Sequence, residues 1–184
     1  MTIGPTTTLR ELAFIVCSAL HRAGTTAILS GGGAATVYAP EAYQSRDLDF
    51  IFEFWSTTDV PSAQPLLDLG FVLDGQSYAH PSTHLTVEFP TGPLAIGEEL
   101  ITTWDTLREG DRLLHILTAT DCVRDRLAWF LFYRDFSALE QALAVASRHP
   151  VDLALIERWC IGSGESGKFQ IFADRLRSIP ENRE

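Results

Sequence analysis

Between Ile28 and Phe54 the chain reads ILSGGGAATVYAPEAYQSRDLDFIFEF, and this stretch constrains the fold more than any other. Ala27-Ile28-Leu29 is a short apolar run ending in Ser30 and three glycines, the pattern of a buried strand bounded by a turn. Gly31, Gly32 and Gly33 permit positive φ and let backbone approach a ligand closely. Ala34 to Tyr38 predicts a short helix, stopped by Pro40. A second strand is expected from Asp47 to Phe54, because its residues alternate. Leu48, Phe50, Phe52 and Phe54 fall on one face; Asp47, Asp49, Ile51 and Glu53 fall on the other. The apolar face belongs to the core. On the other face, two carboxylates at i and i+2 stand roughly 7 Å apart. Acids this close repel unless a cation lies between them, and a hard cation such as Mg²⁺ takes oxygen ligands of this kind.

A glycine pair after a strand, a short helix and an Asp-apolar-Asp-apolar strand together resemble the DNA polymerase β-like nucleotidyltransferase superfamily. Gly32-Gly33 and Asp47-Leu48-Asp49-Phe50 carry the resemblance, at that superfamily's spacing. The closer likeness is to small bacterial members related to abortive-infection and toxin-type nucleotidyltransferases, through Gly32-Gly33-Ala34 and Ser45-Arg46-Asp47-Leu48-Asp49. The resemblance implies an α+β fold: a small mixed β-sheet with flanking helices, followed by a C-terminal helical bundle. It implies that Asp47, Asp49 and a third carboxylate on a neighbouring strand are catalytic and hold Mg²⁺ or Mn²⁺. It implies that an NTP is bound, with Ser30, Gly31, Gly32, Gly33, Ser45 and Arg126 meeting the nucleotide. The implied acceptor is an RNA end, a protein or a small molecule, and the implied partner is an antitoxin. Tyr43 stands where relatives often carry Arg, and Gly33 where many carry Ser or Thr. Those two positions support a second reading, a degenerate member that binds nucleotide or a protein partner without turnover.

The third carboxylate is expected at Glu88. Leu85 to Phe89 alternates as the second strand does, with Thr86 and Glu88 opposite Leu85, Val87 and Phe89. Glu53 lies too far along its own strand, and Asp59, Asp68 and Asp74 fall in a loop, a helix and a turn. Glu98 and Glu99 follow a Pro- and Gly-rich stretch that is not expected to continue the sheet.

Elsewhere, Thr8-Leu9-Arg10-Glu11 is a capping-box pattern opening a helix to about Arg22. A helix is expected from Pro61 to Leu69, a strand from Phe71 to Leu73, and a hairpin from Ile101 to Leu117 about Glu109-Gly110. From Thr118 onward the pattern is helical, with Thr120 as the expected cap of a helix through Tyr133. Further helices are expected over Ser137–Arg148, Asp152–Ile161 and Ser166–Ser178. Two parts are therefore expected, an α/β core over 1–118 and a helical domain over 119–184.

Net charge of −10 argues against a broad phosphate-binding surface. Three widely spaced cysteines fit no zinc pattern and suggest a reducing compartment, hence a cytoplasmic location. No run is long enough to span a membrane, and no signal peptide is read at the N-terminus. Gly162 to Lys168 matches a phosphate loop in part, but Phe169 replaces the metal-binding hydroxyl and no strand precedes it, so it reads as an interhelix turn. Arg124, Arg126 and Arg134 either face a triphosphate or pair with Asp121, Asp125 and Asp135. Trp129, Phe130, Phe132, Tyr133 and Phe136 read as interdomain core rather than a surface for stacking bases.

Overall fold

A computed structural model describes residues 3–53 and 62–180. The expected positions of Phe54, the loop from Trp55 to Asp59, and Pro61 lie outside those residues. The class is α+β, as expected.

The first helix, α1 (Leu9–Arg22), starts where the capping box places it. Thr8 Oγ1 accepts from the Glu11 N–H at 3.2 Å, and the Glu11 carboxylate accepts from the Thr8 N–H at 2.8 Å. Strand β1 (Ala27–Ser30) is buried throughout and runs into α2 (Gly31–Tyr38). The helix thus begins at Gly31 rather than Ala34. Gly31 alone of the three glycines has positive φ, at 65°, and the other two are already helical. Strand β2 (Asp47–Phe52) alternates as expected, with Leu48, Phe50 and Phe52 buried. Then come α3 (Gln64–Asp68), β3 (Val72–Asp74), β4 (Ser77–Ala79) and β5 (Thr86–Glu88). A two-stranded ribbon, β6 (Ala95–Ile96) and β7 (Glu99–Leu100), precedes the hairpin of β8 (Asp105–Glu109) and β9 (Arg112–Ile116). Four helices follow: α4 (Ala119–Tyr133), α5 (Phe136–Ala146), α6 (Leu153–Gly162) and α7 (Ser166–Ser178). The cap of α4 is Thr118, two residues before the expected one; its hydroxyl accepts from the Asp121 N–H at 3.1 Å.

The seven-stranded sheet has the order β3-β4-β5-β2-β1-β9-β8. The centre is mixed. β1 and β2 are antiparallel, whereas β2 pairs in parallel with β5 and β1 in parallel with β9. Helix α2 lies between β1 and β2 in the chain and packs against α4 and α5. Its end is pinned by Tyr38, whose hydroxyl donates to the Leu117 carbonyl at 2.7 Å and whose carbonyl lies 2.7 Å from His149 Nε2. One buried cluster runs from α1 through the sheet to Phe172 of α7. Among the described residues no helix is long and apolar enough to cross a membrane.

β1 and β9 share a single registered pair, Leu29 with Ile116. Where they diverge, α1 supplies the missing partners. Ser18 Oγ donates to the Leu113 carbonyl at 3.1 Å and accepts from the Leu113 N–H at 3.0 Å. Cys17 Sγ sits next to it, accepting from the His115 N–H at 3.2 Å. These are buried groups, so the bonds matter: unpaired, each backbone group costs its full desolvation. Ser18→Ala should therefore lower unfolding free energy by about 1–3 kcal/mol in a urea titration. A loss under about 0.5 kcal/mol, the ordinary range for a surface change, would contradict this assignment.

Candidate active site

The residues singled out from sequence converge at one end of the sheet. Asp47 pairs in register with Thr86 and Asp49 with Glu88 across the parallel β2–β5 ladder. Registered neighbours project to the same face, about 4.8 Å apart. The pair at Asp47 makes this explicit, since Thr86 Oγ1 donates to Asp47 Oδ1 at 2.6 Å. Glu88 is therefore on the strand and the face expected of it. On the other flank of β2, Ser30 pairs with Asp49, and Ser30 Oγ donates to the Asp49 carbonyl at 3.2 Å.

The glycines press α2 onto this strand. A Cβ on Gly31 would collide with Asp49 Oδ2. A Cβ on Gly33 would stand 3.1 Å from the Asp47 carbonyl oxygen and 3.3 Å from Leu29 Cδ1. A side chain at position 33 would therefore need β2 or the Leu29 side chain to give by a few tenths of an ångström. Gly32 faces Ser45, whose Oγ would be 3.3 Å from an added Cβ. Ser45 Oγ also donates to the Asp47 carbonyl at 3.1 Å and accepts from the Asp47 N–H at 3.3 Å, which fixes the entry to β2.

Asp49 is half-buried, and among the described residues no hydrogen bond reaches its carboxylate. Burial raises its pKa to about 6, and the facing Glu88 carboxylate, then Asp47 and Asp125, push the same way; the Arg126 guanidinium opposes them. Arg126 is buried on α4 and is itself held by Asp125, at 2.6 Å from Nη2 and 3.0 Å from Nε. Arg124, 200° away around the same helix by its spacing, pairs instead with Asp121 at 2.9 Å and with Glu99. It lines a separate cavity of about 670 Å³ with Phe132, Arg158 and Trp159, on the side of α4 away from Arg126. Lys168 donates to the Leu131 carbonyl and to Glu165 at 3.0 Å, so the Gly162–Lys168 segment joins α6 to α7.

One neighbour escaped the sequence reading. Gln141 of α5 is buried, and its Oε1 lacks a hydrogen-bond partner among the described residues. That oxygen would lie 3.6 Å from a Cβ on Gly32. The only signal for it is a lone polar residue on a stripe of Ala138, Leu139, Ala142, Leu143 and Val145. The aromatic residues need a correction. Phe130 is buried, but Trp129, Phe132, Tyr133 and Phe136 are 48%, 49%, 72% and 62% exposed, so they are not interdomain core.

Among the described residues no three His, Cys, Asp or Glu side chains form a ready-made metal cage. The donor set nevertheless suits Mg²⁺ or Mn²⁺, which bind through one or two carboxylates and complete their shell with substrate phosphates and water. A half-buried Asp49 facing Glu88 without a compensating hydrogen bond is what a cation would neutralise. No family model matches the chain, and no curated protein does so significantly.

The raised Asp49 pKa has a consequence for stability. In the unfolded chain its value returns to about 3.8. Between about pH 4 and pH 6 the folded state holds a proton that the unfolded state has released, so stability falls as pH rises through this window. The cost is complete above about pH 6, up to about 3 kcal/mol. Metal-free Asp49→Asn should match the wild type near pH 4 and exceed it in melting temperature at pH 7.5. A variant less stable than wild type at pH 7.5 would make Asp49 a structural partner instead.

Proposed function

We propose that the chain is a metal-dependent nucleotidyltransferase that moves an NMP from an NTP to a hydroxyl acceptor. The observation that carries this is the facing pair Asp49 and Glu88, with Asp47 beside them, at the glycine-lined start of α2. A helix start offers backbone N–H groups and the positive end of its dipole to phosphate oxygens. The close approach of α2 to β2 would set such an anion site against the carboxylates. Asp47, Asp49 and Glu88 would hold the cations, which would supply charge neutralisation at the reacting phosphate.

In the reaction, the acceptor oxygen forms a bond to the α-phosphorus and the bond to the bridging α–β oxygen breaks. Pyrophosphate leaves with that electron pair. The acceptor proton passes to the carboxylate cluster, where Glu88, on the outer strand of the pair, takes it. Arg126 sits close enough to Asp49 to act on its charge and would face the phosphates from α4. The acceptor is a hydroxyl of an RNA end, a protein or a small molecule.

One observation favours the second reading, binding without turnover. The side chains that would meet phosphate are already engaged: Ser30 and Ser45 with backbone, Arg126 with Asp125. Incubation of the protein with each α-labelled NTP, Mg²⁺ or Mn²⁺ and total cell extract separates the two. Turnover places label in RNA, protein or a metabolite, and Asp47→Asn or Asp49→Asn abolishes it while the variants stay folded by circular dichroism. Nucleotide binding with no label transferred supports the non-catalytic reading; no binding and no label contradicts both.

A further inference from the structure

We infer that the exposed corner between α4 and α5 is a stacking surface for the base of the nucleotide, an inference that rests on the nucleotide reading above. The C-terminal end of α2 touches the start of α4, through Tyr38 and the Leu117 carbonyl. The N-terminal end of α2 abuts Asp49, whose charge is felt by Asp125 and Arg126 one to two turns into α4. The two helices therefore run in opposite directions, and α4 continues past the glycine end of α2. From Arg126, Trp129 and Tyr133 lie about 4.5 Å and 10.5 Å further along the axis, and within about 60° of the same side. The overhang begins where the phosphates would sit and extends outward, along a path the nucleotide's sugar and base would follow.

The exposed rings of this surface touch one another. Trp129 and Tyr133 rings lie 5.1 Å apart, tilted by 38°. In the same corner the buried Phe130 meets the exposed Phe136 edge-on at 5.4 Å. The turn is closed by Arg134 in the left-handed region, φ 57°, with its N–H donating to the Phe130 carbonyl at 3.0 Å. Asp135 then caps α5, accepting from the Ser137 and Ala138 N–H groups. On the inner side of the same corner, α5 brings Gln141 Oε1, which has no hydrogen-bond partner among the described residues, against Gly32. An aromatic pair held in place beside an anion site suits a heterocycle, because every base has a π-face and stacking tolerates any of them. Arg134, on the same turn and exposed, adds a cation to the corner.

The test compares two nucleotides with a triphosphate that lacks the nucleoside. Mg²⁺ complexes of α,β-methylene ATP, of α,β-methylene CTP and of inorganic tripolyphosphate are titrated calorimetrically into the wild type, Trp129→Ala/Tyr133→Ala and Trp129→Phe/Tyr133→Phe. The expected result is a roughly ten-fold or greater loss of affinity for both nucleotides in the alanine double variant, unchanged tripolyphosphate binding, and recovery with phenylalanine. Nucleotide affinity unchanged in the alanine variant overturns the inference and makes the corner a surface for another macromolecule. Equal loss of tripolyphosphate and nucleotide overturns it as well, because the corner would then support the site as a whole. A wild type that binds none of the three ligands removes the nucleotide reading itself, and this inference with it.

Discussion

The contact of Gly31 with the Asp49 carboxylate sets the geometry of everything around it. A side chain at position 31 would occupy the space of Asp49 Oδ2, and the φ of 65° there is one that only glycine takes without strain. Two residues on, Gly33 rests on the Asp47 carbonyl. The three glycines are thus less a turn than the first turn of a helix laid directly on a strand. Because α2 is so close to β2, its N–H groups and the two aspartates share one small volume. Glu88 enters that volume from the next strand, and α4 and α5 close over it with Arg126 and Gln141.

This arrangement works against itself electrostatically. The start of a helix stabilises a neighbouring anion by about 0.3–1 kcal/mol. The Asp49 pKa nevertheless rises from 3.8 to about 6, a penalty of about 3 kcal/mol above that pH. Desolvation and the facing Glu88 therefore outweigh both the helix start and Arg126. A structural carboxylate would be expected to gain hydrogen bonds that lower its pKa, as Glu11 does at the Thr8 cap. Asp49 has the opposite profile: strain in charge is retained where a cation or a phosphate-bound metal would relieve it.

Much of this is legible in the residues. The alternation of Asp47 to Phe52 sorts acids from core, and the same period in Leu85 to Phe89 picks Glu88 from the other acids because only there is an acid set inside a strand. The α1 cap reads directly from Thr8 and Glu11. Other features are set by long-range packing and leave no local mark. The helix begins at Gly31 because β2 lies beneath it, whereas propensity alone would start it at Ala34. Helix α4 carries aromatics on several sides, so its period cannot say that Phe130 is buried while Trp129 and Tyr133 are exposed; the antiparallel overhang past α2 decides it. The β6–β7 ribbon is two residues a side and too short for a pattern. Gln141 gains its meaning only from the approach of α5 to Gly32.

The central claim is that Asp49 and Glu88 form a half-buried, like-charged pair that a divalent cation neutralises. The direct measurement is the titration of the Asp49 carboxyl by carbon-13 NMR, without metal and with saturating Mg²⁺ and a non-transferable nucleotide. The account predicts a metal-free pKa near 6, lowered by more than about one unit in the ternary complex. A metal-free value at the ordinary 3.8, or a raised value that Mg²⁺ and nucleotide leave unchanged, would contradict it.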